Sequence, residues 1–248
     1  MKARLPKNDS AGGRGALASG SSSPRRKSRV PGALSTLLVR RERWTLTWTG
    51  RLLTLAVLAM LTVFLARGLC NFLAITSPVG GQFLVVEGWM PTYAYREAAT
   101  EFRKGSYVKV IAAGVLQDGG NANGDLLEHF GGEKLINFGV PSDRVVTASY
   151  GEIYRDRTFH SAMAVKQWLQ EQGLQTAPID VVTVGPHARR SRLLYETALG
   201  DAAKVGVIAV EDRRFDPNHW WRSSQGVRTV VDESIAYLYA RVFFSTPQ

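Results

Sequence analysis

The segment Gly185-Pro186-His187-Ala188-Arg189-Arg190-Ser191-Arg192 concentrates the sharpest chemistry in this chain. It follows an apolar run, Ile179–Val184, that reads as a strand, and it opens a predicted helix, Ala188–Leu199. One imidazole and three guanidinium groups therefore gather at a helix N-terminus. Guanidinium forks match phosphate and carboxylate geometry, and the helix end adds partial positive charge to the same place. Basic residues are unfavourable in a first helical turn, and such a local conflict is what a functional site tends to look like. The functional reading is anion binding by Arg189 and Arg190, with His187 as a general acid/base. The alternative is that the arginines face solvent or neighbouring carboxylates, and that His187 is a hydrogen-bonded spacer. No second His or Cys stands at metal-ligand spacing from His187, so no metal site is expected.

Three more segments follow predicted strands. Glu87, in Glu87-Gly88-Trp89-Met90-Pro91, ends the run Gln82–Glu87. It reads either as a ligand-binding carboxylate or base, or as a helix-capping surface acid. Gly114 opens a Gly/Asn-rich loop, Gly114–Gly124, whose backbone N–H groups could hold an anion. Arg157 and Thr158 begin another helix, with Ser161 one turn on. Thr158 is a natural cap, and a helix start flanked by Arg155 and Arg157 is also an anion site.

The elements that must position these residues alternate. Strands are predicted at Gln82–Glu87, Val108–Ala113, Arg144–Thr147, Ile179–Val184 and Val205–Val210. Helices are predicted at Tyr93–Lys104, Asp125–Phe138 with a break at Gly131–Gly132, Thr158–Gln172, Ala188–Leu199 and Val227–Phe243. Such alternation predicts an α/β domain with a mostly parallel sheet and helices on both faces. All-apolar runs such as FLVV and VIAA fit strands buried on both sides. Ligands bind such sheets outside the carboxyl ends of the strands, where all the residues above fall. The segment Asn218-His219-Trp220-Trp221-Arg222 reads as packing for the last helix or as the rim of a sugar- or lipid-binding cleft.

The formal charge of +10 is unevenly spread. Residues 1–80 hold 13 of the 31 Lys and Arg and 2 of the 21 Asp and Glu, a net of +11, and the remainder nets −1. The folded part is thus close to neutral, and no nucleic-acid partner is expected. Residues 1–47 read as a disordered basic tail. Residues 48–75 read as one transmembrane helix: the uncharged run Leu52–Ala66 extends past Arg67 to the length a bilayer needs. Basic residues before the run place the N-terminus in the cytoplasm and residues 81–248 outside it. The competing reading, a cleaved signal peptide, meets a long N-terminal extension and no small-x-small site after the run. The single cysteine, Cys70, excludes a disulfide within the chain and is expected to face lipid.

Strand–VVEGWMP, the Gly139–Pro141 turn, the Arg157-Thr158 helix start and strand–xxHxRRS at His187–Ser191 together resemble the ElyC/SanA/YdcF family of bacterial envelope proteins. The resemblance covers roughly residues 82–212. It implies a Rossmann-like α/β domain behind one membrane helix and a role in cell-envelope and peptidoglycan homeostasis. Its H-x-x-R pattern falls on His187 and Arg190, and its threonine on Thr158. Ser161 stands where the family usually has Asn, and Ala112-Ala113-Gly114 where it usually has Ser-Gly-Gly.

The resulting expectation is a factor in the bacterial inner membrane that binds or acts on an anionic glycan or a lipid-linked phosphosugar, related to peptidoglycan or exopolysaccharide. Arg157, Thr158, Ser161, Arg189, Arg190 and Gly114 would bind, with His187 or Glu87 as acid/base. A non-enzymatic envelope scaffold is the alternative. A nucleotide-cofactor enzyme is disfavoured because no G-x-G-x-x-G follows the first strand, and no cofactor is specified. The topology is open to test with reporters joined after Gln248. Alkaline phosphatase is expected to be active there and green fluorescent protein dark; the reverse pattern would place the domain in the cytoplasm.

Overall fold

A computed structural model describes residues 45–116, 127–152 and 155–245. The chain divides into two units, Met1–Arg51 and Leu52–Gln248. Of the first, only residues 45–51 are described, so the expected disordered tail lies almost wholly outside the described residues, as do Asp125 and most of the loop after Gly114. In chain order the elements are α1 (Trp48–Leu73), β1 (Phe83–Glu87), α2 (Thr92–Lys104), β2 (Lys109–Leu116), α3 (Leu127–Asn137), β3 (Val145–Glu152), α4 (Arg157–Glu171), β4 (Ile179–Val184), α5 (Ala188–Leu199), β5 (Val205–Val210) and α6 (Ser224–Val242).

Five parallel strands form one sheet in the order β3-β2-β1-β4-β5. The central strands β1 (FLVVE) and β4 (IDVVTV) are buried along their whole length, as strands covered on both faces must be. One face packs Phe159, Val165 and Leu169 of α4 with Leu194 and Tyr195 of α5. The other packs Ala94, Tyr95 and Ala98 of α2 with Leu135 of α3. Chain connections leave β1 towards β2 and leave β4 towards β5. The carboxyl ends of β1 and β4 therefore flank the point where strand order reverses, and a crevice opens there.

Helix α1 has 26 residues and holds an 18-residue stretch of mean hydropathy 2.2, long and apolar enough to cross a membrane. Its last turns behave differently from the rest. Cys70 and Leu73 are buried against Phe215, Trp220 and Val230, and Trp220 Nε1 donates to the Ala66 carbonyl at 3.2 Å. This corrects the expectation that Cys70 faces lipid: the 217–222 segment covers it. The linker after α1 is no free tether. Ser77 bridges Val207 of β5 in antiparallel sense, and Ala209 N donates to Thr76 Oγ1.

The linker ends on Asp180, a fully buried carboxylate of β4. Asp180 accepts from Val79 N and Gly81 N, both at 2.7 Å, and from Tyr107 Oη at 3.3 Å. A Cβ at Gly206 of the neighbouring strand would fall on this carboxylate, so the position admits only glycine.

Three expectations shift. β2 runs to Leu116 rather than stopping at Ala113, so Gly114, expected to open the loop, pairs with Ser149 of β3 within the sheet. β3 runs to Glu152 rather than stopping at Thr147, because the outer half of β2 pairs with it as far as Leu116. α3 is unbroken at Gly131–Gly132; these glycines let the helix approach Tyr95 and Thr147 closely. Asp180→Ala strands two backbone N–H groups and is expected to cost about 3 kcal/mol of stability, with Tyr107→Phe costing about 1 kcal/mol. Denaturant unfolding of the purified chain in detergent, followed by tryptophan fluorescence, measures both.

Candidate functional site

Glu87 is the last residue of β1 and is 2% exposed. A carboxylate so placed needs donors, and three neutral ones supply them. Ser191 Oγ donates at 2.8 Å, Trp89 Nε1 at 3.1 Å, and Thr183 Oγ1 donates from β4. The turn after β1 is held by Tyr95 Oη, which donates to the Gly88 carbonyl at 2.6 Å, and by Gly88 N donating to the Ala113 carbonyl. The capping or surface reading of Glu87 is thereby ruled out.

His187 arrives over Glu87 because Gly185, at φ +50°, turns the chain at the end of β4. A Cβ there would also press on Asp212. His187 Nε2 lies 3.6 Å from Glu87 Oε2 and 3.5 Å from Thr158 Oγ1. The Trp89 ring covers the imidazole edge-on, with centroids 4.8 Å apart. On its other side, Nδ1 is 2.9 Å from Glu233 Oε1. Arg190, one helical turn after His187, donates Nε and Nη2 to the two oxygens of Glu233 at 2.8 and 3.0 Å. Arg190 Nη2 also lies 2.9 Å from Nδ1. A guanidinium only donates and a carboxylate only accepts, so Nδ1 serves one of these partners at a time: it donates to Glu233 when it carries the proton and accepts from Arg190 Nη2 when it does not, while Nε2 faces Glu87 and Thr158.

The electrostatics follow. Burial would raise the Glu233 carboxyl, but hydrogen bonds from His187 and Arg190, and their charges, carry it from 4.5 down to about 2. Burial works against the Arg190 charge, and the Glu233 bonds, with Glu87 and Asp156, more than offset it, so its pKa is raised.

These groups line a cavity of about 460 Å³ at the carboxyl ends of the strands. Seven of the residues anticipated for the site border it: Glu87, Gly114, Arg157, Thr158, Ser161, His187 and Arg190. Arg189 does not. Its Nε donates to the Phe72 carbonyl and its guanidinium stacks 3.9 Å from the Phe72 ring centroid. It holds the last turn of α1 and stands outside the cavity, away from the binding place expected for it. Arg192 pairs with Glu196. Thr158 is not the cap of α4: the helix begins at Arg157, preceded by Asp156 at φ +50°, and no side chain caps it. The uncapped first turn of α4, with Arg157, therefore forms one wall of the cavity, while the α5 arginines are engaged by protein groups: Arg190 by Glu233 at the cavity, Arg189 by Phe72 and Arg192 by Glu196.

Glu233, Trp89, Thr183 and Ser191 complete the site and were not anticipated from sequence. Ser191 carried a signal, since it falls one turn after His187 on the same helix face. Glu233 carried none. Among the described residues, no group of three or more His, Cys, Asp or Glu could hold a metal ion.

Comparisons of the chain with protein-family models, with curated proteins and with solved structures give no match.

The Glu233 shift fixes a pH dependence. A carboxyl lowered in the folded state contributes stability that is complete above 4.5 and lost as pH falls towards about 2. Glu233→Gln is expected to be less stable than the native chain at neutral pH. The gap should narrow as pH falls through that window, as read by unfolding midpoints across a pH series.

Proposed function

We propose that this chain is a cell-envelope biogenesis factor, anchored in the bacterial inner membrane by α1 with its N-terminus in the cytoplasm. Its α/β domain binds an anionic glycan or a lipid-linked phosphosugar in the cavity at the strand ends. The observation that carries this reading is one cavity wall, where the uncapped start of α4 and Arg157 stand opposite His187. Helix N–H groups that no described side chain caps, together with a guanidinium, suit phosphate or carboxylate oxygens. Trp89, Leu194 and Tyr239 give the same cavity an apolar flank, which suits the less polar face of a sugar ring or a lipid stem.

His187 is the group placed to move a proton. In the tautomer whose Nδ1–H donates to Glu233, Nε2 is the atom that takes up a proton, between Glu87 and Thr158. A ligand hydroxyl or water in the cavity then meets an acid/base pair of imidazole and carboxylate.

The reversal of strand order between β1 and β4 supports a Rossmann-like assignment. Together with the resemblance to the ElyC/SanA/YdcF family, it supports the envelope role, peptidoglycan or exopolysaccharide being the related polymer. The path of the linker adds a spatial reason. It leaves α1 and runs antiparallel to β5, from Thr76 beside Ala209 to Val79 beside Asp180. The carboxyl edge of the sheet, with the cavity, is therefore the edge nearest α1.

Titration of the full chain in detergent with a short-chain polyprenyl phosphosugar tests this. Removing one charge-assisted contact costs about 1.5–3 kcal/mol, so Arg157→Ala is expected to weaken binding roughly 10- to 100-fold. Arg189→Ala, outside the cavity, should leave it unchanged. Equal binding by the Arg157→Ala and native chains would remove the reading.

A further inference from the structure

Helix α6 is apolar on two sides. Its inner side, Val230, Tyr237, Ala240 and Phe244 just beyond its end, packs on α1 and on the core. Its outer side presents Val227, Val231, Ile235, Leu238 and Val242 at exposed positions, joined by Tyr239 and Phe243. The spacing of i, i+4, i+8, i+11 and i+15 makes one continuous stripe. Ile235 is 64% and Phe243 70% exposed. A contiguous apolar face of this kind marks an interaction surface.

Position relative to α1 identifies what covers it. The α6 residues that touch α1 each immediately precede a stripe residue. Val230 packs on Cys70 and Leu73, and Tyr237 meets the Phe72 ring at 6.0 Å. The stripe thus begins about 100° further round the helix. Contact between α1 and the domain starts at Ala66, whose carbonyl accepts from Trp220. Earlier in α1, the residues from Leu52 to Leu65 are exposed and uncharged. Arg67 stacks on Trp221 at 5.6 Å, so the charge and the indoles sit together where α1 leaves its apolar stretch, as at a membrane–water interface. Arg222, Arg228 and Arg241 are exposed on and beside α6, against one exposed acid, Asp232, on the outer face, and the net positive charge suits anionic headgroups.

We infer that the outer face of α6 is a membrane-contact surface, lying in the bilayer interface beside the exit of α1. The occupant of the stripe is lipid. Ala236, Tyr239 and Ala240 of the same helix line the cavity, so the cavity rim comes to headgroup level and is served by a ligand that keeps its lipid tail in the bilayer. That last consequence rests on the function proposed above. The surface itself rests only on α1 crossing the membrane.

The test uses the full chain in phosphatidylethanolamine–phosphatidylglycerol vesicles and no cavity ligand, so its failure is distinct from failure of the binding reading. Spin labels are placed one at a time through Ile235→Cys and Leu238→Cys, at exposed positions that fold does not depend on. Glu171→Cys, on the exposed end of α4, is the control, and buried Cys70 stays in place with an unsubstituted chain as blank. At 235 and 238, collision with oxygen is expected to exceed collision with a water-soluble nickel chelate several-fold, while 171 shows the opposite order. Nickel access at 235 and 238 equal to that at 171 would put the stripe in water and overturn the inference. Low access to both reagents would overturn it in favour of a protein partner. Dipolar coupling between labels would then identify that partner as a second copy.

Discussion

Withdrawal of ionisable groups from water is the constraint on which the site depends. Glu87, His187, Arg190 and Glu233 lie together beneath the surface, and none could be buried alone at tolerable cost. Glu233 joins the last helix to the start of α5 through both Arg190 nitrogens and the imidazole. Glu87 joins β1 to β4 and α5 through Thr183 and Ser191. His187 lies between the two carboxylates, in hydrogen-bond contact with one and 3.6 Å from the other. The geometry of the imidazole is therefore set by residues from both halves of the sheet and from the C-terminal helix at once.

This arrangement gives the C-terminal helix a definite role. α6 supplies Glu233 to the site and Tyr239 and Ala240 to the cavity wall, and it packs against the last turns of α1. The membrane-type helix and the proposed chemistry are thus two ends of one packed assembly. Arg189 and Arg190 divide this labour. They are neighbours in sequence but about 100° apart on the helix, and one holds Phe72 of α1 while the other holds Glu233 of α6.

Much of the fold was legible because burial leaves a period in the sequence. The largely apolar runs of β1, β4 and β5 and the 3.6-residue pattern of α5 gave bounds close or identical to those observed. The far half of β3 was not legible, since Ala148–Glu152 owes its extended form to pairing with β2, which no local pattern encodes. The site was half legible. His187, Arg190 and Glu87 stand beside glycines at strand ends, and that is visible in one dimension. Glu233 looks like any acid on an exposed helix, because its partners lie 43 and 46 residues earlier. Without it, the arginine cluster reads as free cations, whereas Arg189, Arg190 and Arg192 each have a partner in three dimensions. Cys70 was misjudged for the same reason: the tryptophan that covers it is far away in the chain.

The central claim is that Arg190 and Glu233 are a coupled, partly buried pair that fixes His187. A double-mutant cycle of Arg190→Ala and Glu233→Ala, read as unfolding free energy of the full chain in detergent, tests it most directly. The account predicts that each single change is costly and that the double change is far less than their sum, with a coupling of at least about 2 kcal/mol. Effects that add to within about 0.5 kcal/mol would mean that the two side chains do not meet, and the site described here would not exist.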